Sequence, residues 1–295
     1  MKDVIIIGAG IAGLTASIYL KRAGKSVLII DKDGFGGKII NSTKVDNYPG
    51  LPGISGYDLM EKIYDQALSF GAELVYEDAI KIEGHSVITR ESTYKGKTII
   101  ICTGSKDKKL NVEGEEEGSG KYIHSCATCD GNFYKGKTVA IVGAGNTAVQ
   151  DAIELSSNAD LVYMIVRGDG FPKAEAILVE RMMEISNIEY IYEEEIKKII
   201  KGDKVNLILK NGDLEVDGVF LAIGSNPDTD AFDLDKENGY IKVDEDMKTS
   251  VPYIFAAGDC TTIKVKQLVT AAASGAVAAI SAINYLNNMK EETWN

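Results

Sequence analysis

The chain is 295 residues long, 45% hydrophobic and 26% charged, which suits two soluble domains of ordinary composition. Its net charge of −12 argues against affinity for nucleic acid or for anionic membrane surfaces, since both need clustered cations. Thirty glycines against five prolines suit tight strand-to-helix turns better than disorder.

In chain order, Asp3–Ile7 is a β-branched run ended by glycine. Ala12–Ala23 carries apolar residues at helical spacing, and Ser26–Ile30 is a second short apolar run. Such a strand–helix–strand unit implies parallel pairing with both sheet faces covered. The apolar start lacks a basic leader and a cleavage site and runs straight into Gly8, so it reads as a buried strand and the protein as cytoplasmic. Ile99–Cys102 leads into Thr103-Gly104, and Ile254–Ala257 into Gly258-Asp259. Both place small polar pairs at strand ends, where α/β sheets bind ligands.

The strand–helix–strand unit recurs as Thr138–Val142, Thr147–Ser156 and Leu161–Val166. This duplication argues for an α/β fold of two dinucleotide-type (Rossmann-like) domains, the second inserted into the first. Asn111–Gly120 is Gly- and Glu-rich and reads as a connector, with the return crossing expected near Tyr240–Asp244. The Ala-rich segment Val269–Leu286 has helical periodicity and is expected to pack on the first domain. No run reaches the roughly 18 consecutive apolar residues of a membrane span.

Gly8-Ala9-Gly10-Ile11-Ala12-Gly13 follows a strand, opens a helix, and precedes a second strand ending at Asp31. In that setting Gly8 permits the tight turn, Gly10 lets the backbone approach a pyrophosphate, and Gly13 lets helix and strand pack closely. The helix N-terminus favours anionic phosphates, and Asp31 can accept hydrogen bonds from ribose hydroxyls.

Four cysteines are present. Cys102 and Cys260 stand singly in apolar surroundings and read as small buried residues. Cys126-Ala127-Thr128-Cys129 spans one helical turn, which brings two sulfurs within disulfide reach, and a helix N-terminus favours the thiolate. Zinc is disfavoured, because His85 and His124 are the only histidines and there is no second C-x-x-C; no metal is expected. Asp130, directly after Cys129, is either a solvated carboxylate or an acid–base group for the departing thiolate.

GAGIAG at 8–13, GFGGK at 34–38, DNYPG at 46–50, CTG at 102–104, CATCDG at 126–131, GAGNTA at 143–148, AAGDC at 256–260 and KQLVTAAASG at 266–275 occur in this order. The chain so resembles the low-molecular-weight thioredoxin reductases over essentially its full length. The resemblance implies FAD bound by residues 1–112 and 243–295, and an inserted NAD(P)-like domain, 113–242, carrying the redox pair. Gly8, Gly10, Ala12 and Gly13 would surround the pyrophosphate, with Thr103 and Gly104 nearby. Asp31 would hold the adenosine ribose and Ala79 touch the adenine. Gly36, Gly37 and Lys38 would line the cofactor, Asn47 approach the flavin, and Gly258-Asp259 meet the ribityl chain. Lys266, Gln267 and Leu268 would lie beside the isoalloxazine. Cys129 would exchange electrons with the flavin, Cys126 attack thioredoxin's disulfide, and Asp130 move the proton. The resemblance further implies a homodimer and rotation of the inserted domain.

One element departs from the family. After the second strand, where the family places cations for the 2′-phosphate of NADPH, this chain reads Val166-Arg167-Gly168-Asp169-Gly170. Val166 also stands where NADH would want a carboxylate. NADPH is therefore disfavoured, and reduced ferredoxin is the expected donor, as in the ferredoxin-dependent flavin thioredoxin reductases. Lys106, Lys108 and Lys109 are the local cations available to such an acidic partner. The competing readings are an NAD(P)H-dependent reductase with relaxed binding, an FAD-dependent dithiol oxidase, and a non-enzymatic flavin redox sensor.

Overall fold

The computed structural model describes residues 1–42, 45 and 47–292, apart from the side chains of Asn41, Cys129 and residues 290–292. The chain forms two compact units, 1–106 with 226–295, and 107–225.

The first unit opens with β1 (Lys2–Ile7), α1 (Ile11–Arg22), β2 (Val27–Ile30), α2 (Gly56–Ser69), β3 (Glu73–Val75), β4 (Ala79–Glu83), β5 (Ser86–Thr89) and β6 (Thr93–Ile101). Strand β1 pairs in parallel with β2 and β6, and β2 with β3, while β5 pairs antiparallel with β6 and β4 antiparallel with β5. Val4–Ile7 and Val27–Ile30 are buried on both faces, which is why they read as continuous apolar runs without alternation.

β7 (Ser105–Asp107) leads into the second unit, which holds α3 (Glu115–Gly118), β8 (Ile123–His124), α4 (Ala127–Asp130), β9 (Thr138–Val142), α5 (Asn146–Ser156), β10 (Leu161–Ile165), α6 (Ala176–Met183) and β11 (Ile188–Ile191). β12 (Ile196–Lys201), β13 (Val205–Leu209) and β14 (Gly212–Val216) make an antiparallel sheet, and β15 (Gly218–Leu221) rejoins the parallel one, ordered β11-β10-β9-β15-β8. One core lies between that sheet and α5 and includes Val149, Ala152 and Phe220. A second, on its other face, joins Ala140 and Ile165 to Val205 and Leu207 of the small sheet.

After β16 (Ser225–Pro227) the chain completes the first unit with β17 (Lys236–Glu237), β18 (Tyr240–Ile241), β19 (Ile254–Ala256) and α7 (Leu268–Glu292). β19 pairs in parallel with β6. By composition residues 268–289 are apolar enough to span a membrane, yet Ala271, Ala278, Ala282 and Leu286 pack into the core beside α1. The contact is close because α7 has glycine there: a Cβ on Gly275 would sit 2.2 Å from the Ala12 carbonyl oxygen.

Both crossings fall earlier than the sequence suggests. Asn111–Gly120 is not a free connector, because buried Glu115 folds it back by accepting the N–H groups of Leu110 and Asn111 at 2.8 and 2.7 Å. Residues 226–242 belong to the first unit, because Phe232 and Ile241 are buried against Ile5, Ile99 and Ile101.

Within α5, burial pushes the Asp151 carboxyl up to about 7, and the charge of Glu154 adds to the effect. An unfolded aspartate ionises near pH 4, so folding stability falls as pH rises from about 4 to about 7. Asp151→Asn should flatten that slope in urea melts and gain about 2 kcal/mol near pH 8. An unchanged slope would remove Asp151 as its source.

Candidate active site

In the first unit the glycine turn forms one wall of a cradle. Gly8 has φ +105°, and a Cβ there would meet the Cys102 carbonyl oxygen at 2.3 Å; one on Gly13 would meet the Gly8 oxygen at 2.0 Å. Gly10 differs, since nothing among the described residues lies within 4 Å of its absent Cβ. It is the N-cap of α1, without a side-chain cap and with no acidic residue in the first turn. The helix therefore starts with uncapped N–H groups beside open space, the setting that accepts a phosphate. Ala12 instead turns its methyl into the packing with Gly258, whose Cβ would lie 3.1 Å from it.

A second wall comes from Gly36 and Gly37. The Gly36 N–H donates to the Ala9 oxygen at 3.0 Å, and a Cβ on Gly37 would lie 3.4 Å from the Gly10 Cα. Lys38 follows on the exposed side. Asp31 braces both walls: its oxygens accept the N–H groups of Ala9 at 2.7 Å and Asp33 at 2.9 Å. Burial pushes its carboxyl up, against the pull of those N–H groups.

The strand ends close the cradle. The Thr103 hydroxyl donates to the Asp228 oxygen at 2.5 Å, and the Gly104 oxygen accepts the Asp228 N–H at 3.0 Å. The Gly258 N–H donates to the Ser274 hydroxyl at 2.9 Å, with half-buried Asp259 next in line. Lys266 is held inward by the carbonyls of Asp259 and Thr261, at 3.1 and 2.5 Å, with its ammonium 4.6 Å from the Tyr240 ring centroid. Burial lowers its pKa. Asn47 donates to Gln267 at 3.1 Å, bringing those two together. Leu268 packs on the α1–α7 core, and Ala79 on the opposite sheet face with Val87 and Ile99.

In the second unit Cys126 is disulfide-bonded, whereas Cys102 and Cys260 are free, buried thiols. The Cys129 side chain lies outside the described residues. The Asp130 N–H donates to the Cys126 oxygen at 3.1 Å and closes the single turn of α4. Sequence reasoning missed a partner of Asp130: its Oδ2 lies 3.1 Å from Nδ1 of buried His124, whose Nε2 is 2.7 Å from the Tyr134 hydroxyl. The available signal was a histidine two residues before the first cysteine and a tyrosine four after the aspartate.

The second glycine turn is also built, with Gly143 at φ +147° and Gly145 capping α5. The segment before α6 folds back beside it. Gly145 bridges Lys173 through the backbone, the Asn146 Oδ1 accepts the Glu175 N–H at 2.7 Å, and the Asn146 Nδ2 donates to the Glu175 carboxylate at 3.1 Å. Val166, at the end of β10, is fully buried, and Arg167 is exposed.

Two glycine turns on parallel sheets, with a cysteine disulfide on the second, define a nucleotide-binding disulfide oxidoreductase. Residues 2–275 match the pyridine nucleotide-disulphide oxidoreductase family, and the chain belongs to it. It is 39% identical to the thioredoxin reductase of Listeria innocua, across 98% of this chain and 95% of that one. The solved thioredoxin reductase of Streptococcus pyogenes superposes with a TM-score of 0.85 at 36% identity, covering 98% of this chain and 99% of that one. A ferredoxin-flavin thioredoxin reductase from Clostridium acetobutylicum is 32% identical, with TM-score 0.55 and 98% of each chain covered. The protein is thus an oxidoreductase acting on a sulfur group, with the expected two-domain α/β fold. FAD is the cofactor of these flavoproteins. The first cradle fits it, because the space a Gly10 side chain would fill stands open at an uncapped helix N-terminus.

Proposed function

We propose that this chain is a flavin-dependent thioredoxin-disulfide reductase that draws its electrons from reduced ferredoxin rather than NADPH. Bound FAD supplies two-electron exchange with a disulfide. Gly8, Gly10, Ala12 and Gly13 hold its pyrophosphate, with Thr103 and Gly104; Asp31 takes the ribose and Ala79 the adenine. Gly36, Gly37, Lys38, Asn47, Gly258, Asp259, Lys266, Gln267 and Leu268 line the remainder. Cys126 and Cys129 form the redox pair, Cys126 attacking thioredoxin and Cys129 resolving the mixed disulfide, while Asp130 protonates the departing thiolate.

The donor assignment is carried by the segment folded back beside the second glycine turn. Glu175 sets a carboxylate beside the Asn146 side chain at the start of α5, where its negative charge opposes a nucleotide's pyrophosphate. Buried Val166 offers a ribose no hydrogen bond. The ferredoxin-flavin relative supports the same reading. Lys106 is tied to Asp228 at 2.7 Å, which leaves exposed Lys108 and Lys109 as the cations for an acidic donor. The free thiols of Cys102 and Cys260 suit a reducing cytoplasm, and full-length likeness to thioredoxin reductases supports a homodimer. The NAD(P)H reading keeps one observation in its favour: the open space at Gly145 matches that at Gly10.

The test is anaerobic bleaching of the bound flavin by NADPH, NADH or reduced ferredoxin, followed by oxidised thioredoxin. Ferredoxin should bleach it and thioredoxin should restore the colour. Bleaching by micromolar NADPH would overturn the donor assignment. Rapid turnover of small dithiols in air would favour the oxidase, and no exchange with any thioredoxin the sensor.

A further inference from the structure

His124 takes no part in the redox chemistry described above. It lies at the end of β8, two residues before Cys126, and is 8% exposed. An ionised carboxylate only accepts, so a hydrogen bond at 3.1 Å from Asp130 requires the proton on Nδ1. In the neutral ring Nε2 is then the acceptor, and the Tyr134 hydroxyl donates to it at 2.7 Å. Burial, with the charges of Asp130 and Asp217, pushes Tyr134 up to about 12, so it keeps its proton through neutral pH.

The three groups are held by packing as well. The Tyr134 ring fills the place a side chain on Gly218 would take, 2.2 Å from that missing Cβ. Phe220 stands 5.2 Å from the His124 ring and 5.5 Å from the Tyr134 ring. When Asp130 carries the proton it gives up, Nδ1–H still donates to a carboxyl oxygen and the Tyr134 hydroxyl still donates to Nε2, so neither hydrogen bond is lost. The carboxyl group thus stays in one place in both protonation states. A solvated surface carboxylate needs no such support.

We propose that His124, with Tyr134 behind it, is a positioning residue that fixes the Asp130 carboxyl group for proton transfer to the thiolate leaving the substrate disulfide. The proposal rests on the reading of Cys126–Cys129 as the redox pair and Asp130 as its acid. In the step, the Cys126 thiolate bonds to one substrate sulfur. The substrate S–S bond breaks, and its electron pair leaves on the other sulfur, which takes the proton from Asp130. Cys129 then displaces the first substrate sulfur from Cys126, so a dithiol and a disulfide become a disulfide and two thiols.

A weakly basic thiolate leaves without a proton, whereas an alkyl thiolate gains from one. Dithionite-reduced holoenzyme is therefore mixed anaerobically with hydroxyethyl disulfide or with the bis-nitrobenzoate disulfide, and the two exchange rates are compared. For His124→Leu the ratio of alkyl to aromatic rate should fall about tenfold. His124→Asn, which returns an N–H near the Nδ1 position, should restore most of it. Tyr134→Phe should lower the ratio by a smaller factor and serves if the leucine variant does not fold. An equal loss with both disulfides, or an unchanged ratio, overturns the positioning role. Asp130→Asn separates the two layers: if it leaves the ratio unchanged, the acid assignment itself fails, whereas a fall there without one in His124→Leu defeats only the role given to His124.

Discussion

Cys126→Ser should yield a folded, flavin-loaded protein that no longer reduces thioredoxin. The loss expected is at least about a thousandfold, because a serine hydroxyl is neither ionised near neutral pH nor able to form the mixed disulfide. The proposed FAD cradle belongs to the first unit and Cys126 to the second, so flavin content and its absorbance should stay at the wild-type level. Cys129→Ser should be as inactive in turnover, yet leave the attacking thiol in place. It should therefore trap the mixed disulfide with thioredoxin, visible as a covalent complex on non-reducing gels. Cys126→Ser should trap none. If Cys126→Ser retains turnover, the C-x-x-C is not the conduit and the assignment falls; if the serine variants exchange behaviours, only the order of attack is reversed.

Two glycines three residues apart should behave in opposite ways. Gly13→Ala would drive a Cβ to 2.0 Å from the Gly8 carbonyl oxygen and 3.2 Å from the Ile6 side chain, in a contact that is largely backbone. Relief requires α1 to move off β1, at a cost of about 3 kcal/mol or more, with loss of flavin as a consequence. Gly10→Ala meets nothing among the described residues within 4 Å, and its φ of −73° suits alanine. That variant should keep the stability of the flavin-free protein while weakening FAD binding by about tenfold or more, since the new methyl enters the space left for the cofactor. Thermal melts of the stripped proteins and flavin titrations read the two effects separately. Equal FAD affinity in Gly10→Ala and wild type would remove the pyrophosphate from that corner.

The residues proposed to carry chemistry in this protein are largely adjacent in the chain, which is why the sequence alone could nominate them. Gly8, Gly10 and Gly13 lie in one turn, and Cys126, Cys129 and Asp130 in another, because a phosphate cradle at a helix start and a one-turn dithiol are both local structures. The duplicated strand–helix–strand pattern followed from apolar runs buried on both faces, as in Val4–Ile7 and Val139–Val142. What needed the tertiary structure was every pairing between distant segments. Phe232 and Ile241 moved the domain boundary by packing on β1 and β6, although nothing in their own neighbourhood marks them as part of that core. Glu175 reached back 29 residues to the Asn146 side chain at the start of α5, a contact fixed by the loop before α6. His124 looked idle in the sequence, because a hydrogen bond through both ring nitrogens depends on where a strand, a single helical turn and a tyrosine converge in space.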